Sequence, residues 1–254
     1  MDRRLDRLTW PELERLLTRG VRTAVLPLGA MEQHGPHLPF ATDTWIADAL
    51  AARFCARVEE ALWCPTLPIG CSPEHMAFPG TLTLRAATFA AVLGDLLASC
   101  KQHGFERVFM FSAHGGNYGP IAKCIDSLRA ESAPVELVVF TDQGRLTRAL
   151  QEASERQGID RARSGHHAGE LETSIMRGLW PDAVRLDRME PGFVEEHRSG
   201  SLFYPSLRPN APNGVVGDPR PSDPARAEVY LAAWVDVLVE AYRDAYPLPE
   251  AERA

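Results

Sequence analysis

The feature that most constrains the fold is a repeated alternation of short apolar runs with longer segments of helical periodicity. Each apolar run has the length of a buried strand, and apolar residues recur at helical spacing in the segment that follows it. Buried strands separated by helices form a largely parallel sheet that is covered by helices on both faces. The predicted strands lie in "RTAVLPLG", "LWCPTLPIG", "RVFMFSAHGGN" and "VELVVF".

Length and composition limit the classes of function. The chain has 254 residues and is 45% hydrophobic, so we predict one α/β domain over residues 1–254. Its 27 basic and 34 acidic residues form no basic run, which makes nucleic acid an unexpected partner. No segment approaches the roughly 18 apolar residues that span a bilayer, so we expect a cytoplasmic protein with no membrane partner.

The placement of histidine is the most informative pattern for function. Of eight histidines, six fall in four short windows, and most of these windows begin where a predicted strand ends. Ligands of α/β folds bind beyond the carboxyl ends of strands, so these side chains are candidates for a common site. The windows are "EQHGPH" with His34 and His37, "SPEHMAFPG" with His75, "SAHGGN" with His114, and "SGHHAGELETS" with His166 and His167.

The first window combines carboxylates with imidazoles. Glu32 and His34 are two residues apart, so on an extended backbone both side chains leave the same face. Asp43 lies where the next helix starts and can turn back toward the strand end. This mixture of ligands suits Zn²⁺ or Mn²⁺, and a carboxylate can bridge two such ions. The alternative is that Asp43 caps the helix and Glu32 is a solvated loop residue.

Two further windows contain candidate substrate contacts. Small residues follow His114, and the next helix begins there with free N–H groups that can hold an anion or a developing oxyanion. The alternative is a plain turn from strand to helix. The candidates for contact with substrate or oxyanion are Gly115, Gly116, Asn117 and His75.

The last window, "HHAGELETSIM", indicates a loop that runs into a helix. Glu170 follows His167 by three residues and Glu172 follows it by five, and the sequence alone does not choose which carboxylate faces the cleft. Acidic residues also favour a helix N-terminus for dipole reasons, which is the alternative. The chain contains no G-x-S-x-G, Walker A, G-x-G-x-x-G or H-E-x-x-H motif, so a serine hydrolase, a nucleotide enzyme and a zincin are not expected.

Taken together, the windows resemble the creatininase family of metal-dependent hydrolases. The matching stretches are "LPLGAMEQHGPHLPFATD", "SPEHMAFPGTLTL", "SAHGGN", "HHAGELETS" and "NGVVGDP", in the order the family has them. The resemblance implies a three-layer α/β/α fold, two Zn²⁺ or Mn²⁺ ions (iron in some members) and a homo-oligomer, often a hexamer.

The resemblance also implies roles for individual residues. Glu32 and His34 are expected to bind one ion each and Asp43 to bridge the two. His114 is expected to bind the ion that Glu32 holds, and Glu172 is the expected remaining ligand. His167 is expected to contact the substrate or to transfer a proton, with Glu170 as the alternative proton donor.

Two departures from creatininases proper bear on the substrate. Those enzymes carry a glutamate ligand where this chain has Gly116, and a tryptophan before "HAG" where this chain reads "RARSG". Creatinine is therefore not the expected substrate. The function expected is hydrolysis of a C–N bond in a cyclic or linear amide, with a small molecule or a short peptide as substrate.

Three alternatives remain open. Within the family they are a peptidase of the mycofactocin maturation type and a formamide hydrolase of flavin or deazaflavin precursor synthesis. The alternative from another class is a non-catalytic metal-binding assembly protein. A proline-rich segment with Phe193, Leu202, Phe203 and Tyr204 predicts a loop that covers the site or contacts another subunit.

Overall fold

The computed structural model describes residues 3–194 and 202–247. In this part of the chain four strands form one parallel sheet in the order β2, β1, β3, β4. The strands are β1 (Thr23–Leu28), β2 (Ala61–Trp63), β3 (Arg107–Ser112) and β4 (Glu136–Val139).

The central pair of strands, β1 and β3, runs in register along its whole length. Thr23 pairs with Arg107 at one end and Leu28 with Ser112 at the other, so both strands end at the same edge of the sheet. In the sheet, β2 lies on one side of β1 and β3 lies on the other, so the direction of strand addition reverses at β1. Ligands of α/β folds bind beyond the carboxyl ends of the strands at such a switch point.

Helices follow the strands as the periodicity predicts. They are α1 (Trp10–Thr18), α2 (Thr42–Arg57), α3 (Ala86–Gln102), α4 (Tyr118–Ser132), α5 (Gln143–Arg156), α6 (Arg161–Ser164), α7 (Glu170–Leu179) and α8 (Ala227–Ala245). The predicted start of α1 is confirmed, because Thr9 and Glu12 form a reciprocal capping box. Asp223 likewise accepts a hydrogen bond from Ala225 at the short 3₁₀ turn that leads into α8.

Alternate residues of the strands divide the core into two layers. Ala24, Leu26, Val108 and Met110 pack against α1, α3 and α4. The intervening Val25, Phe109 and Phe111 pack against α2, α5, α7 and α8. The two-residue period of a strand therefore gives each face of the sheet its own helical layer, and the expected three-layer α/β/α fold is confirmed.

The second predicted strand is much shorter than expected. The apolar run "LWCPTLPIG" suggested a strand of up to nine residues, but β2 has three. Pro65 and Pro68 cannot donate to the ladder, so pairing continues only as an isolated bridge between Leu28 and Leu67.

The irregular segment between α7 and α8 has a small core of its own. Leu202, Leu207, Ala211 and Val216 are buried together, with Phe78, Phe193 and Phe203 packed against them. This packing explains how residues 202–216, which contain several prolines and no long helix, are held over the strand ends. Residues 195–201 of the predicted loop lie outside the described residues. The prediction that it contacts another subunit stays a prediction. In the described residues, no helix has the length and apolar character that crossing a bilayer requires.

Phe54 joins the layers of the fold and gives a test of the packing. Its fully buried ring stacks on Phe109 of β3 with centroids 5.0 Å apart and meets Tyr242 of α8 edge-on at 5.4 Å. Phe54→Ala should lower the free energy of unfolding by about 3–5 kcal/mol because it leaves a cavity between three elements. Urea denaturation measures this change. Trp10→Ala, at a side chain that is 77% exposed, is the control and should change stability by less than about 1 kcal/mol. Equal effects of the two substitutions would contradict the packing described.

Candidate metal and catalytic site

Loops that follow β1 and β3, together with the starts of α2 and α7, bring the predicted ligands to one buried cluster. Glu32 and His34 come from the loop after β1, and Asp43 from the first turn of α2. His114 follows β3 directly, and Glu172 lies in the first turn of α7. The structure therefore brings together the whole predicted ligand set, with His167 beside it.

Asp43 lies between two groups of ligand atoms. On one side its Oδ1 is 3.1 Å from His34 Nε2, which is 3.8 Å from Glu172 Oε2. On the other side its Oδ2 is 3.2 Å from His114 Nδ1, which is 3.2 Å from Glu32 Oε1. Asp43 does not cap α2, because the N-cap position is Ala41 and no side-chain cap is formed. The geometry is that of a carboxylate shared by two ligand groups.

Three imidazoles are oriented in the same way. Each directs one ring nitrogen at a backbone carbonyl oxygen: His34 Nδ1 at Glu32 (3.2 Å), His114 Nε2 at Cys71 (2.9 Å) and His167 Nε2 at Gln33 (2.7 Å). Because a carbonyl only accepts, that nitrogen carries the proton and the other nitrogen faces the carboxylates. Metal-binding histidines are typically fixed by such a second hydrogen bond.

The carboxylates retain unused capacity to bind a cation. Glu32 Oε2 is buried and accepts no hydrogen bond among the described residues, and the buried Asp43 Oδ2 has only its 3.2 Å contact with His114 Nδ1. A buried carboxylate oxygen without a partner is unfavourable unless a cation compensates it. The residues therefore fit a divalent metal, and two groups that share Asp43 each offer three potential ligand atoms: Glu32, Asp43 and His114 in one, and His34, Asp43 and Glu172 in the other.

The pKa shifts within the cluster show how strongly its groups interact. Burial opposes charge on every member, but the Asp43 carboxylate overcomes it and raises the pKa of His34 to about 10. Burial would also raise the pKa of Glu32, yet the imidazoles of His114 and His75 hold it well below the usual value. For Glu172 burial prevails and raises the pKa to about 7.

His167 also lies in the cluster, because with Glu32 and His34 it forms a third group whose potential ligand atoms are within 4.8 Å of one another. Its Nδ1 is 3.6 Å from Glu32 Oε1. Burial, reinforced by the neighbouring His34 and His75, holds its pKa well below the usual value. The ring is therefore neutral at neutral pH, with Nδ1 available to accept a proton.

The late motif "NGVVGDP" positions His167 through the backbone. Val216 N–H donates to the His167 carbonyl at 2.8 Å, and Val216 O accepts from both His166 and His167. Gly165, at φ +77°, packs so closely on Val216 O that a β-carbon would collide with it. Only glycine permits this approach, which explains why the two distant motifs occur together.

A strained residue directs Glu172 toward the cluster. Ala168 has φ +53°, in the left-handed region that residues other than glycine seldom adopt. In this conformation its N–H donates to Glu172 Oε2 at 2.6 Å. Such strain occurs where a functional geometry requires it.

A cavity of about 390 Å³ opens beside the cluster. The metal-site residues Glu32, His114, His167 and Glu172 line one part of it, and α5 and α8 line another. Gly115 and Gly116 also border the cavity, in a helical turn whose N–H groups have no partner within that helix. The prediction that the irregular segment covers the site is confirmed, because Phe203 and Tyr204 form part of the wall.

The expectation that Glu170 acts as a proton donor is wrong. Its carboxylate accepts hydrogen bonds from Ser174 Oγ (2.7 Å), Arg226 Nη1 (2.9 Å) and Tyr230 OH (2.7 Å). The side chain is fully buried in this network between α7 and α8 and does not line the cavity. Glu170 and Glu172 are two residues apart on a helix, so they point in different directions, and Glu172 is the one that reaches the ligands.

Asn117 is also not placed to contact a substrate. Its side-chain amide accepts from Cys71 N (2.9 Å) and donates to Gly29 O (3.0 Å) and Ser112 Oγ (3.1 Å). These bonds tie the loops that contain Gly29 and Cys71 to the end of β3. His75 does border the cavity as expected, whereas His37 packs away from it, with Nε2 2.9 Å from Thr173 Oγ1.

Two residues of the site were missed by sequence reasoning. Gln33 Nε2 donates to His75 Nδ1 (2.9 Å) and to Gly214 O (3.1 Å). Because His75 Nδ1 accepts this bond, the imidazole of His75 carries its proton on its own Nε2. That atom lies 3.6 Å from Glu32 Oε1. Glu74 borders the cavity with a buried carboxyl group. Both flank residues that were singled out, and adjacency to them was the available signal.

The fold and the site define a metal-dependent hydrolase, and comparison with known proteins identifies its family. The profile of the creatininase family, described as creatinine amidohydrolase, matches residues 6–242. A mycofactocin precursor peptide peptidase of Mycobacterium tuberculosis is 31% identical over 240 residues, covering 89% of this chain and 86% of that protein. A creatinine amidohydrolase of Pseudomonas putida is 28% identical over 262 residues, covering 94% and 96%.

Solved structures agree with the sequence comparisons. A manganese creatininase superposes with a TM-score of 0.81 at 25% identity and covers 97% of this chain and 100% of that one. A mutant creatininase of Zn-Zn type gives a TM-score of 0.81 at 25% identity, with 97% and 99% covered. The chain belongs to the creatininase family, and it is a metal-dependent amidohydrolase that acts on C–N bonds.

The reassignment of Asn117 can be tested by its effect on stability. Asn117→Ala should lower the free energy of unfolding by about 2–4 kcal/mol, since it leaves several buried polar groups without partners. The control is Asn210→Ala, at an exposed residue with a single hydrogen bond to Leu202 O, which should cost less than about 1 kcal/mol. Denaturant titration of both variants measures these changes in the free energy of unfolding. An unchanged stability of Asn117→Ala, with loss of activity alone, would restore the substrate-binding role.

Cation binding should release protons and strengthen as pH rises. With a pKa of about 10, His34 holds a proton at pH 7 that a cation must displace, and His114 also has a raised pKa. Each displaced proton should raise the apparent Zn²⁺ affinity by about tenfold per pH unit between pH 6 and 8. Calorimetry in buffers of different ionisation enthalpy should show about one to two protons released per chain, and His103→Gln, at an exposed residue, should behave as wild type. An affinity independent of pH would refute this electrostatic description.

Proposed function

We propose that this protein hydrolyses the C–N bond of a small amide or short peptide at a centre of two divalent ions, with Zn²⁺ or Mn²⁺ as the ions and iron as an alternative. The observation that supports this most is the sharing of Asp43 by two groups of potential ligand atoms, one of which includes the buried and unpartnered Glu32 Oε2. When bound, two such ions lower the pKa of a shared water and supply hydroxide at neutral pH.

The roles proposed for the protein's own groups follow from their placement. Glu32, Asp43 and His114 hold one ion, and His34, Asp43 and Glu172 hold the other. The N–H groups of Gly115 and Gly116 are available to the oxyanion of the tetrahedral intermediate. His167, neutral and with Nδ1 facing the cluster, accepts a proton and passes it to the leaving nitrogen.

The geometry disfavours the alternative of a non-catalytic metal-binding protein. A purely structural ion requires a closed ligand set, whereas this cluster borders a cavity large enough for a small substrate. If the site carried out no reaction, the base His167 beside the proposed ligands would have no function.

A second candidate for the substrate is a peptide, in a reaction of the mycofactocin precursor type. The 31% identity to a mycofactocin precursor peptide peptidase over 89% of this chain supports it. Gly116 counts against creatinine, because creatininases proper carry a glutamate ligand at this position. A β-carbon here would overlap His114 and the Cys71 carbonyl, so a side chain at position 116 would require the loop to move. The formamide hydrolase remains a third candidate. A homo-oligomer, in hexamers as in other family members, and a cytoplasmic location remain predictions.

The proposed function is tested by metal content together with an amide screen. Purified protein should contain about two divalent ions per chain, and Asp43→Ala should lose both because the shared carboxylate serves two ligand groups. The loaded protein should hydrolyse at least one member of a panel of creatinine, N-formyl amines and short peptides. Failure to take up Zn²⁺ or Mn²⁺ on titration would refute the proposal.

Variants of the "HHAGELE" segment separate catalysis from metal binding. His167→Ala should keep its metal and lower turnover by about 10²- to 10⁴-fold, as expected for a lost acid/base group. His166 is exposed and also lines the cavity, but it belongs to none of the candidate metal-binding groups, so His166→Ala should keep its metal and have a much smaller effect. Glu172→Ala should lose both metal and activity. If His167→Ala lost its ion while Glu172→Ala retained it, the assignment of these two residues would have to be reversed.

A further inference from the structure

Glu74 is a buried carboxyl group in the cavity wall that the proposed reaction does not use. It lies in the 3₁₀ turn Pro73–His75, and its relative exposure is 3%. The backbone fixes its position, because the Glu74 carbonyl accepts from Leu207 N–H at 3.0 Å. The turn is thereby anchored to the small core that lies over the strand ends.

The hydrogen bonding of Glu74 is incomplete. Its Oε1 has a long contact with Tyr204 OH at 3.4 Å, and its Oε2 is buried without a partner. Among the described residues no Arg or Lys side chain pairs with it. Glu170, the comparable buried carboxylate, has three donors, including Arg226. An unpartnered buried carboxyl group is unfavourable, so a group outside the protein is expected to complete the hydrogen bonding of Glu74.

Gly116 gives the Glu74 carboxyl its space. A β-carbon at position 116 would lie 2.8 Å from Glu74 Oε1, so any larger residue would contact the carboxyl group. Glu74 thus borders the cavity beside the turn that contains the proposed oxyanion donors. A substrate whose scissile carbonyl is held there has neighbouring atoms close to Glu74.

We propose that Glu74 is a specificity-determining residue that accepts a hydrogen bond from a second N–H group of the substrate, adjacent to the scissile amide. The substrate class is then an amide flanked by another N–H, as in peptides and ureido amides, and simple carboxamides lacking one are poor ligands. This inference rests on the proposed function, because the scissile amide at the metal centre sets which atoms reach Glu74.

A matched pair of neutral probes tests the inference. Ureidoacetamide and 4-oxopentanamide have the same shape and the same terminal carboxamide, but the second replaces the ureido NH and NH₂ by CH₂ and CH₃. Calorimetry on zinc-loaded protein should show that wild type binds ureidoacetamide about tenfold more tightly, the value of one charge-assisted hydrogen bond.

The variant that removes the acceptor is Glu74→Met, which conserves length. It should lower the preference to less than about twofold, and Glu74→Gln, which keeps one acceptor oxygen, should be intermediate. Glu155→Met, at an exposed residue of α5, is the matched control and should retain the full preference. Because Glu74→Met removes an unpartnered polar group, its thermal midpoint should equal or exceed that of wild type.

Three results would overturn the inference: an unchanged preference in Glu74→Met, a wild type that prefers 4-oxopentanamide, or no saturable binding of ureidoacetamide to wild type. These outcomes differ from failure of the proposed function, which is absence of metal uptake or of amide hydrolysis. The ratio of the affinity for ureidoacetamide to that for 4-oxopentanamide, measured in wild type and in Glu74→Met, decides the inference.

Discussion

The structure depends on the burial of several carboxylates in one small volume. Glu32, Asp43 and Glu172 repel one another, and burial further disfavours their charged forms. Opposite charge must compensate them, and among the described residues the surrounding imidazoles do so. The shifted pKa values of His34 and His114 are the consequence. Two divalent ions, which we propose, would provide this compensation more completely.

The fold meets this requirement by making the sheet edge rigid. Two central strands in register end together. The loop after β1 and the start of α2 supply Glu32, His34 and Asp43 to the cluster, β3 is followed by His114, and α7 adds Glu172. Backbone carbonyls then fix the imidazole rings, so that the position of each ring depends on main chain that is itself hydrogen-bonded. The pairing of His167 with Val216 extends this principle to a segment about fifty residues further along the chain. Rigid elements hold a catalytic geometry more accurately than flexible loops.

Strong periodic patterns allowed most of the fold to be predicted, and local conflicts account for the exceptions. Strands β1 and β3 and the long helices have apolar spacing that only one structure satisfies. The length predicted for the second strand was wrong because the prediction gave its apolar residues more weight than its two prolines. In the sheet, the prolines lack the N–H groups that would continue the pairing. Which helices cover each face of the sheet is a consequence of tertiary packing.

For the site, residue type predicted which side chains gather in the cluster, but side-chain direction could not be obtained from spacing. Glu170 and Glu172 have the same chemistry and neighbouring positions, and only the start of α7 determines which one meets Arg226 and which one meets His34. Asn117 looked like a ligand of the substrate because it follows "HGG", yet its side chain bonds to two distant loops and to the end of β3. Gln33 and Glu74 were missed for the same reason, since long-range contacts give them their roles.

The most direct test of the account is an anomalous diffraction map collected above the zinc absorption edge from crystals of zinc-loaded protein. The account predicts two peaks about 3.5–4 Å apart, the usual separation in two-metal sites. One peak should be bounded by Glu32, Asp43 and His114, and the other by His34, Asp43 and Glu172. A single peak, or ions held without Asp43, would contradict the claim that a shared carboxylate organises this site.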